Sequence, residues 1–279
     1  VQGGLLVVKV GGRVLASNLD SVVGDVVDLW RGGLRVVLVH GGGDVVTEYS
    51  RRMGVEPRFV VSPEGVRSRY TSLEELEVYI MVMAGKLNKW IVSKIVGLGG
   101  RAVGVTGADG PTLVAERRKR IIVVDERGRR RVVEGGYTGR IVRVETGLLD
   151  RLLEENYVVV VAPVAVDSDG TLLNVDGDQA ALKIAAAIKA DKVILLTDVE
   201  GLVVDGGIVR ELTAQEAKSI LPKIGPGMNR KIIEAVEAVE RGVREVLIAN
   251  GLLENPVKKA LENPGTRIVG KPLKQQHRP

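Results

Sequence analysis

Strand-like and helix-like segments alternate along the whole of this chain, and that alternation leaves few folds open. Short runs dominated by valine, isoleucine and leucine fall at 5–10, 35–39, 101–106, 121–124, 130–133, 158–162, 192–197, 208–210 and 244–248. Between them lie segments of helical pattern, at 19–31, 44–53, 73–98, 146–155, 178–189, 213–220, 228–241 and 255–262. Such a succession predicts a three-layer αβα sandwich, an α/β fold with a mostly parallel sheet covered on both faces. The 279 residues suit one large domain or two lobes. A shift of composition across 163–170 places the boundary between an N-terminal lobe, 1–165, and a C-terminal lobe, 166–270. Residues 271–279 read as a frayed tail.

Composition removes several chemistries. There is no cysteine, so disulfides, thiolate metal sites and cysteine nucleophiles are excluded. The two histidines, His40 and His277, are too few for a histidine metal cluster or a Ser-His-Asp triad, and His40 reads as a structural residue closing its strand. No run of eighteen apolar residues and no charged-then-apolar leader is visible, so a cytoplasmic protein with neither a membrane span nor a signal peptide is expected. The net charge of +5 is unevenly spread: Arg117-Arg-Lys-Arg120 and Arg127-Gly-Arg-Arg-Arg131 flank the apolar run 121–124. That segment predicts a basic β-hairpin. A solvated surface and a docking face both fit it. Nucleic acid fits poorly, because no aromatic residues interleave to stack on bases.

The chemistry lies in the loops. The first strand ends in Val8-Lys-Val-Gly-Gly12 and the second in His40-Gly-Gly-Gly43. Glycine lets peptide N–H groups at a strand end or helix start approach anionic oxygens closely, so phosphate or carboxylate is the natural guest. Phosphoryl transfer asks a protein chiefly for cations and N–H donors aimed at the transferring group. Lys9, and Lys231 of Gly225-Pro-Gly-Met-Asn-Arg-Lys231, are candidate cations, with Arg230 a rival for the second role. Asp178, in Leu172-Leu-Asn-Val-Asp-Gly-Asp-Gln-Ala-Ala181, is a carboxylate able to hold both ammonium groups, although it could equally be the N-cap of the helix that follows. Lys231 is expected in the first turn of helix 228–241, where a cation opposes the helix dipole.

Taken in order, these pieces resemble the amino-acid kinase family, and within it the acylglutamate kinase branch. That pattern runs Lys-x-Gly-Gly, His-Gly-Gly-Gly, an arginine segment, Asn-x-(Asn/Asp)-x-Asp, a strand ending in Asp-Val-x-Gly, and Gly-Met-x-x-Lys, and all six occur here in order. Ser68-Arg-Tyr-Thr71, Met81-Val-Met-Ala-Gly-Lys-Leu-Asn-Lys89, Gly107-Ala-Asp-Gly110 and Gly136-Tyr-Thr-Gly139 look like the kinases acting on 2-aminoadipate or glutamate attached to a small acidic amino-group carrier protein. Ser72 and Ala84 depart from that subfamily, where Asp and Gly are expected. The resemblance implies ATP as phosphoryl donor, Mg²⁺ carried by the nucleotide, no metal held by the protein itself, and a homodimer built on 73–98. It implies catalytic roles for Lys9, Lys231 and Asp178, acceptor contacts from Gly42, Gly43, Arg69 and Asn174, and nucleotide contacts from Gly11, Gly12, Asp198, Gly201 and Val203. The acceptor would sit in the N-terminal lobe and ATP in the C-terminal lobe. An N-acetylglutamate kinase acting on the free small molecule, and a catalytically silent amino-acid-binding module of the same fold, are the alternatives.

Overall fold

A computed structural model describes residues 3–270; the expected tail, 271–279, lies outside them. The chain begins with β1 (Leu5–Val10), α1 (Gly12–Arg31), β2 (Arg35–His40), α2 (Gly43–Arg52), β3 (Arg58–Val61), β4 (Arg67–Tyr70) and α3 (Leu73–Ile80). A π-helical stretch, Met81–Leu87, joins α3 to α4 (Asn88–Gly97). Next come β5 (Ala102–Thr106), β6 (Leu113–Arg117), β7 (Arg120–Val124), β8 (Arg130–Glu134), β9 (Gly139–Val144), α5 (Gly147–Glu154), β10 (Val158–Ala162), β11 (Val164–Val166) and β12 (Leu172–Asn174). The remainder comprises α6 (Gly177–Ala187), β13 (Lys192–Thr197), β14 (Val203–Val204), β15 (Gly207–Ile208), β16 (Glu211–Thr213), α7 (Ala214–Ile220), α8 (Pro226–Glu240), β17 (Glu245–Asn250), α9 (Pro256–Glu262) and β18 (Thr266–Val269).

Eight strands form one sheet in the order β16-β18-β17-β13-β1-β2-β10-β5. From β17 to β5 every pairing is parallel, and β18 runs antiparallel to β17. The mostly parallel sandwich is therefore as expected. The sheet runs unbroken across residues from both expected lobes, with β1-β2-β10-β5 from the first and β13, β16, β17 and β18 from the second. A smaller sheet, β12-β11-β6-β9, and the separate hairpins β3-β4, β7-β8 and β14-β15 complete the strands.

Strand alternation explains both the layers and the site. Leu5 and Val7 of β1 pack into the cluster that holds the apolar faces of α6 and α8, whereas Leu6, Val8 and Val10 pack against α1 and α9. Side chains two apart share a face, so Lys9 falls on the α6 and α8 side of the sheet. The chain leaves β1 through α1 for β2 on one side of it, and enters β13, on the other side, from α6. The winding reverses at β1, and the loops beyond the carboxyl ends of β13, β1 and β2 open a crevice there.

Several expectations need correction. The first helix starts at Gly12 rather than at 19, with a joint at Asn18, whose φ of −142° is not helical. The expected helix 73–98 is interrupted by the π-helical stretch. Of the expected strand 208–210 only Ile208 lies in a strand, as the last residue of β15, and Val209 and Arg210 lie between it and β16. The basic hairpin exists as β7-β8, paired from Arg120 with Glu134 to Val124 with Arg130. Strands β3, β4, β6, β9, β11, β12, β14, β16 and β18 were not foreseen.

Candidate active site

Of the helices that begin at the crevice, three do so on a glycine. Gly11, Gly42 and Gly225 are the N-caps of α1, α2 and α8, and none supplies a side-chain acceptor to its first turn. The N–H groups there are left for an anion, with the positive ends of the helix dipoles behind them. The Gly11 N–H donates to the Leu196 carbonyl at 3.1 Å and the Gly41 N–H to the Val10 carbonyl at 2.8 Å, which fixes both loops to neighbouring strands. Gly42 is the position where no other residue fits: its φ is +148°, and a Cβ there would collide with Leu87 Cδ1 and lie 3.1 Å from Met83 Sδ.

Behind these loops sits one carboxylate between two ammonium groups. Asp178 Oδ1 lies 2.8 Å from Lys9 Nζ, and Asp178 Oδ2 accepts a hydrogen bond from Lys231 Nζ. The three side chains are 20%, 13% and 12% exposed respectively. Burial alone would drive Asp178 toward its neutral form, yet Lys9 and Lys231 overcome that and hold its pKa well below the usual carboxylate range. Burial likewise opposes the Lys9 charge, and the adjoining Asp178 more than offsets it, leaving the lysine pKa raised. Lys9 and Asp178 are both charged at neutral pH.

The local sequence explains how Asp178 comes to face inward. The N-cap of α6 is Asp176, whose side chain accepts from the Gln179 N–H at 2.9 Å, so Asp178 is released from capping and projects from the first turn. Helix α8 begins at Pro226, two residues before the expected start, with proline in its favoured first position. Lys231 thus lies in the second turn, beyond the strongest part of the dipole, and the expected conflict is largely removed. Arg230 turns toward Asp176, at 3.8 Å, while Lys231 meets Asp178.

Two cavities meet at this charged centre. One, of about 430 Å³, is lined among others by Gly42, Gly43, Arg69, Asn174, Asp178 and Lys231. The other, of about 250 Å³, is lined by Lys9, Gly11, Gly12, Arg13, Gly43 and Asp198 among others. Gly43 belongs to both, and the Lys9–Asp178 ion pair spans them. In the larger cavity Arg69 is already engaged: Nη1 donates to the buried Glu75 carboxylate, and Nη2 donates to the Gly43 carbonyl at 2.8 Å and to Thr47 Oγ1 at 2.5 Å. Asn174 Nδ2 donates to Thr71 Oγ1 at 2.9 Å. In the smaller cavity the Asp198 carboxylate accepts from Arg13. Gly201 and Val203 do not line it: Gly201 packs against Gly265 and Thr266, and Val203 is exposed on β14.

Other site residues went unnoticed in the sequence. Glu75 is 1% exposed, and its position in the first turn of α3, a few residues after Arg69, was the available signal. Arg118, read as part of the basic hairpin, instead lines the larger cavity, where burial and the nearby Arg230 hold its pKa down. The departure at Ser72 is benign, because Ser72 caps α3 by accepting from the Glu75 N–H at 3.2 Å, the task an aspartate would perform. His40 is fully buried, with Nδ1 2.9 Å from the Gly41 carbonyl, and burial first of all pushes its pKa down to about 4. It is a neutral structural group, as expected.

A parallel α/β sheet with glycine loops at its switch point, uncapped helices and two lysines on one aspartate defines a class of anion-handling enzymes rather than a single one. The sequence model for the amino acid kinase family matches residues 4–250, and the chain belongs to that family. The chain is 52% identical over 266 residues to a protein of Saccharolobus islandicus named [LysW]-aminoadipate/[LysW]-glutamate kinase, covering 95% of this chain and 99% of the relative. A protein of the same name from Sulfolobus acidocaldarius is 52% identical over 265 residues, covering 95% of this chain and all of the relative. Among solved structures, N-acetylglutamate synthase from Neisseria gonorrhoeae, complexed with coenzyme A and N-acetyl-glutamate, superposes with a TM-score of 0.80 at 26% identity. That likeness covers 98% of this chain and 61% of the synthase chain.

Proposed function

We propose that the protein transfers the γ-phosphoryl group of MgATP to the side-chain carboxylate of 2-aminoadipate, of glutamate, or of both, while the amino acid is attached to a small acidic carrier protein. The product is an acyl phosphate, and the reaction belongs to lysine biosynthesis and, where glutamate is the acceptor, to arginine biosynthesis. The observation that carries the chemistry is Asp178 held between Lys9 and Lys231 where two cavities join. The acceptor reading rests on the high identity to the two named kinases.

Each group then has a task that follows from its charge. Lys9 and Lys231 offset the negative charge on the transferring phosphoryl, and Asp178 keeps both ammonium groups in position without touching substrate. Gly11 and Gly12 offer N–H donors to the nucleotide phosphates, with Asp198 at the edge of the same cavity. Gly201 and Val203 border the nucleotide further out. Gly42, Gly43 and Asn174 contact the acceptor, and Arg69 braces the Gly43 carbonyl while turning its remaining donor capacity to the acceptor's carboxylate end. No general base is required, because an acceptor carboxylate is already ionised at neutral pH. The segment 1–165 supplies most of the acceptor site and 166–270 most of the nucleotide site, with Gly11 and Gly12 reaching across to the phosphates and Asn174 to the acceptor. We assign the enzyme to the cytoplasm, among the described residues of which no helix is long and apolar enough to cross a membrane. Leu73, Met81 and Trp90, all exposed along α3, the π-helical stretch and α4, support a homodimer interface there.

The test is ATP-dependent acyl-phosphate formation, trapped with hydroxylamine, with carrier-linked aminoadipate, carrier-linked glutamate and free N-acetylglutamate offered side by side. Turnover of the carrier-linked acceptors is expected. Turnover of free N-acetylglutamate alone would replace this reading by that of an N-acetylglutamate kinase, and binding without turnover would point to a silent amino-acid-binding module.

A further inference from the structure

Asp178 and Lys231 sit on different helices, so their meeting depends on how α6 and α8 are registered. We propose that Gln179 and Glu234 are the positioning residues that set this register. Gln179 is 5% exposed and uses both ends of its amide. Its Oε1 accepts from the Ile141 N–H of β9 at 3.0 Å, and its Nε2 donates to Glu234 Oε1 at 2.8 Å. One side chain thereby ties β9, α6 and α8 together.

The neighbours on either helix make the coupling direct. Gln179 follows Asp178 in the chain, and Glu234 lies one turn after Lys231 and lines the larger cavity. One turn further along, Lys183 Nζ meets Glu237 Oε1 at 3.1 Å, so the seam carries polar links at 178–231, 179–234 and 183–237. Glu234 also borders a separate cavity of about 450 Å³, whose lining includes Arg143, Lys183, Glu237 and Arg241. On that side the apolar packing of α6 against α8 is interrupted, and the Gln179 amide adds a directional polar tie to it. A lysine has a long, flexible stem, and a misplacement of about 1 Å in a transferring site is enough to cost on the order of a hundredfold in rate.

This inference rests on the reading that Lys231 acts on the transferring phosphoryl, and the experiment separates the two. Gln179→Leu and Glu234→Ala are each made in the wild-type chain and in Lys231→Met, and kcat and KM are measured with carrier-linked aminoadipate, alongside denaturation midpoints. Each substitution is expected to lower kcat at least tenfold in the wild-type background, with KM for ATP changed less than threefold. In the Lys231→Met background the same substitutions should lower kcat less than twofold, because no lysine remains to be misplaced. Equal losses in both backgrounds, or no loss in the first, overturn the positioning role. Should Gln179→Leu fail to fold because the Ile141 N–H is left unsatisfied, Glu234→Ala decides the matter, since it keeps that bond. A Lys231→Met enzyme with more than a third of the wild-type kcat overturns both the role of Lys231 and the inference built on it.

Discussion

At the scale of single residues, the arrangement around Asp178 turns one carboxylate into an organiser of two cations. Replacing Lys9 or Lys231 by Met is expected to lower kcat about 10²- to 10³-fold, or roughly 3–4 kcal/mol, the usual loss for one electrostatic stabiliser, read from acyl-phosphate formation. Asp178→Asn leaves two ammonium groups without their counter-charge and should also destabilise the fold by roughly 3 kcal/mol in urea denaturation. That sits toward the lower end for breaking a buried pair, because the side chain is 20% exposed. His40 gives a separate signature. Its folded pKa of about 4 lies below the ordinary value of 6.5, so below pH 6.5 the unfolded chain takes up a proton that the folded one refuses. Stability is fully present above pH 6.5 and falls as the pH drops toward 4, by roughly 3 kcal/mol in total. Comparing the wild type with His40→Gln at pH 7 and pH 4.5 should show about 2 kcal/mol less pH dependence in the variant.

At the scale of elements, what could be read in the sequence divides along physical lines. The long buried strands β1, β2, β10, β13 and β17 announced themselves as runs of valine, isoleucine and leucine, because both faces of a covered parallel sheet are apolar. Strands β3 and β4 bury no residue and β9 buries only Gly139 and Ile141, so their arginines broke the apolar signal. The role of Asp178 was undecidable locally, since either aspartate of Asp176-Gly-Asp178 can cap a helix and only the packed neighbours show which one does. Lys9 and Lys231 were legible through motif order, whereas Gln179 and Glu234 act through partners distant in the chain and left no local trace. The close packing of the glycine loop against the π-helical stretch also carries a prediction. Gly42→Ala should be destabilised by roughly 2–3 kcal/mol, from strain at a positive φ and from the clash with Leu87. It should also lose most activity; near-wild-type turnover would remove the loop from the chemistry.

At the scale of the whole molecule, the basic hairpin β7-β8 stands outside the main sheet and is the face we propose for docking the acidic carrier. Its arginines are not equivalent. Arg129 and Arg131 are held by Asp125, whose pKa is brought down to about 2, first by the Arg129 N–H and then by the Arg131 side chain, so they shape the turn. Arg127 and Arg130 form no ion pair with any described residue. Reversing charge at Arg127 and Arg130 should therefore raise KM for carrier-linked substrate, most steeply at low salt, and leave kcat unchanged in steady-state assays. Equal changes in both constants would argue against docking there.

The meeting of the two cavities at Gly43 has a stereochemical consequence. A glycine offers no side chain to carry a phosphoryl group, and both oxygens of Asp178 are occupied by lysines. With the glycine lacking a side chain and Asp178 held by both lysines, direct passage between two substrates present together is the expected course. A single in-line displacement reverses the configuration at phosphorus, so a chirally labelled γ-thiophosphate would emerge inverted.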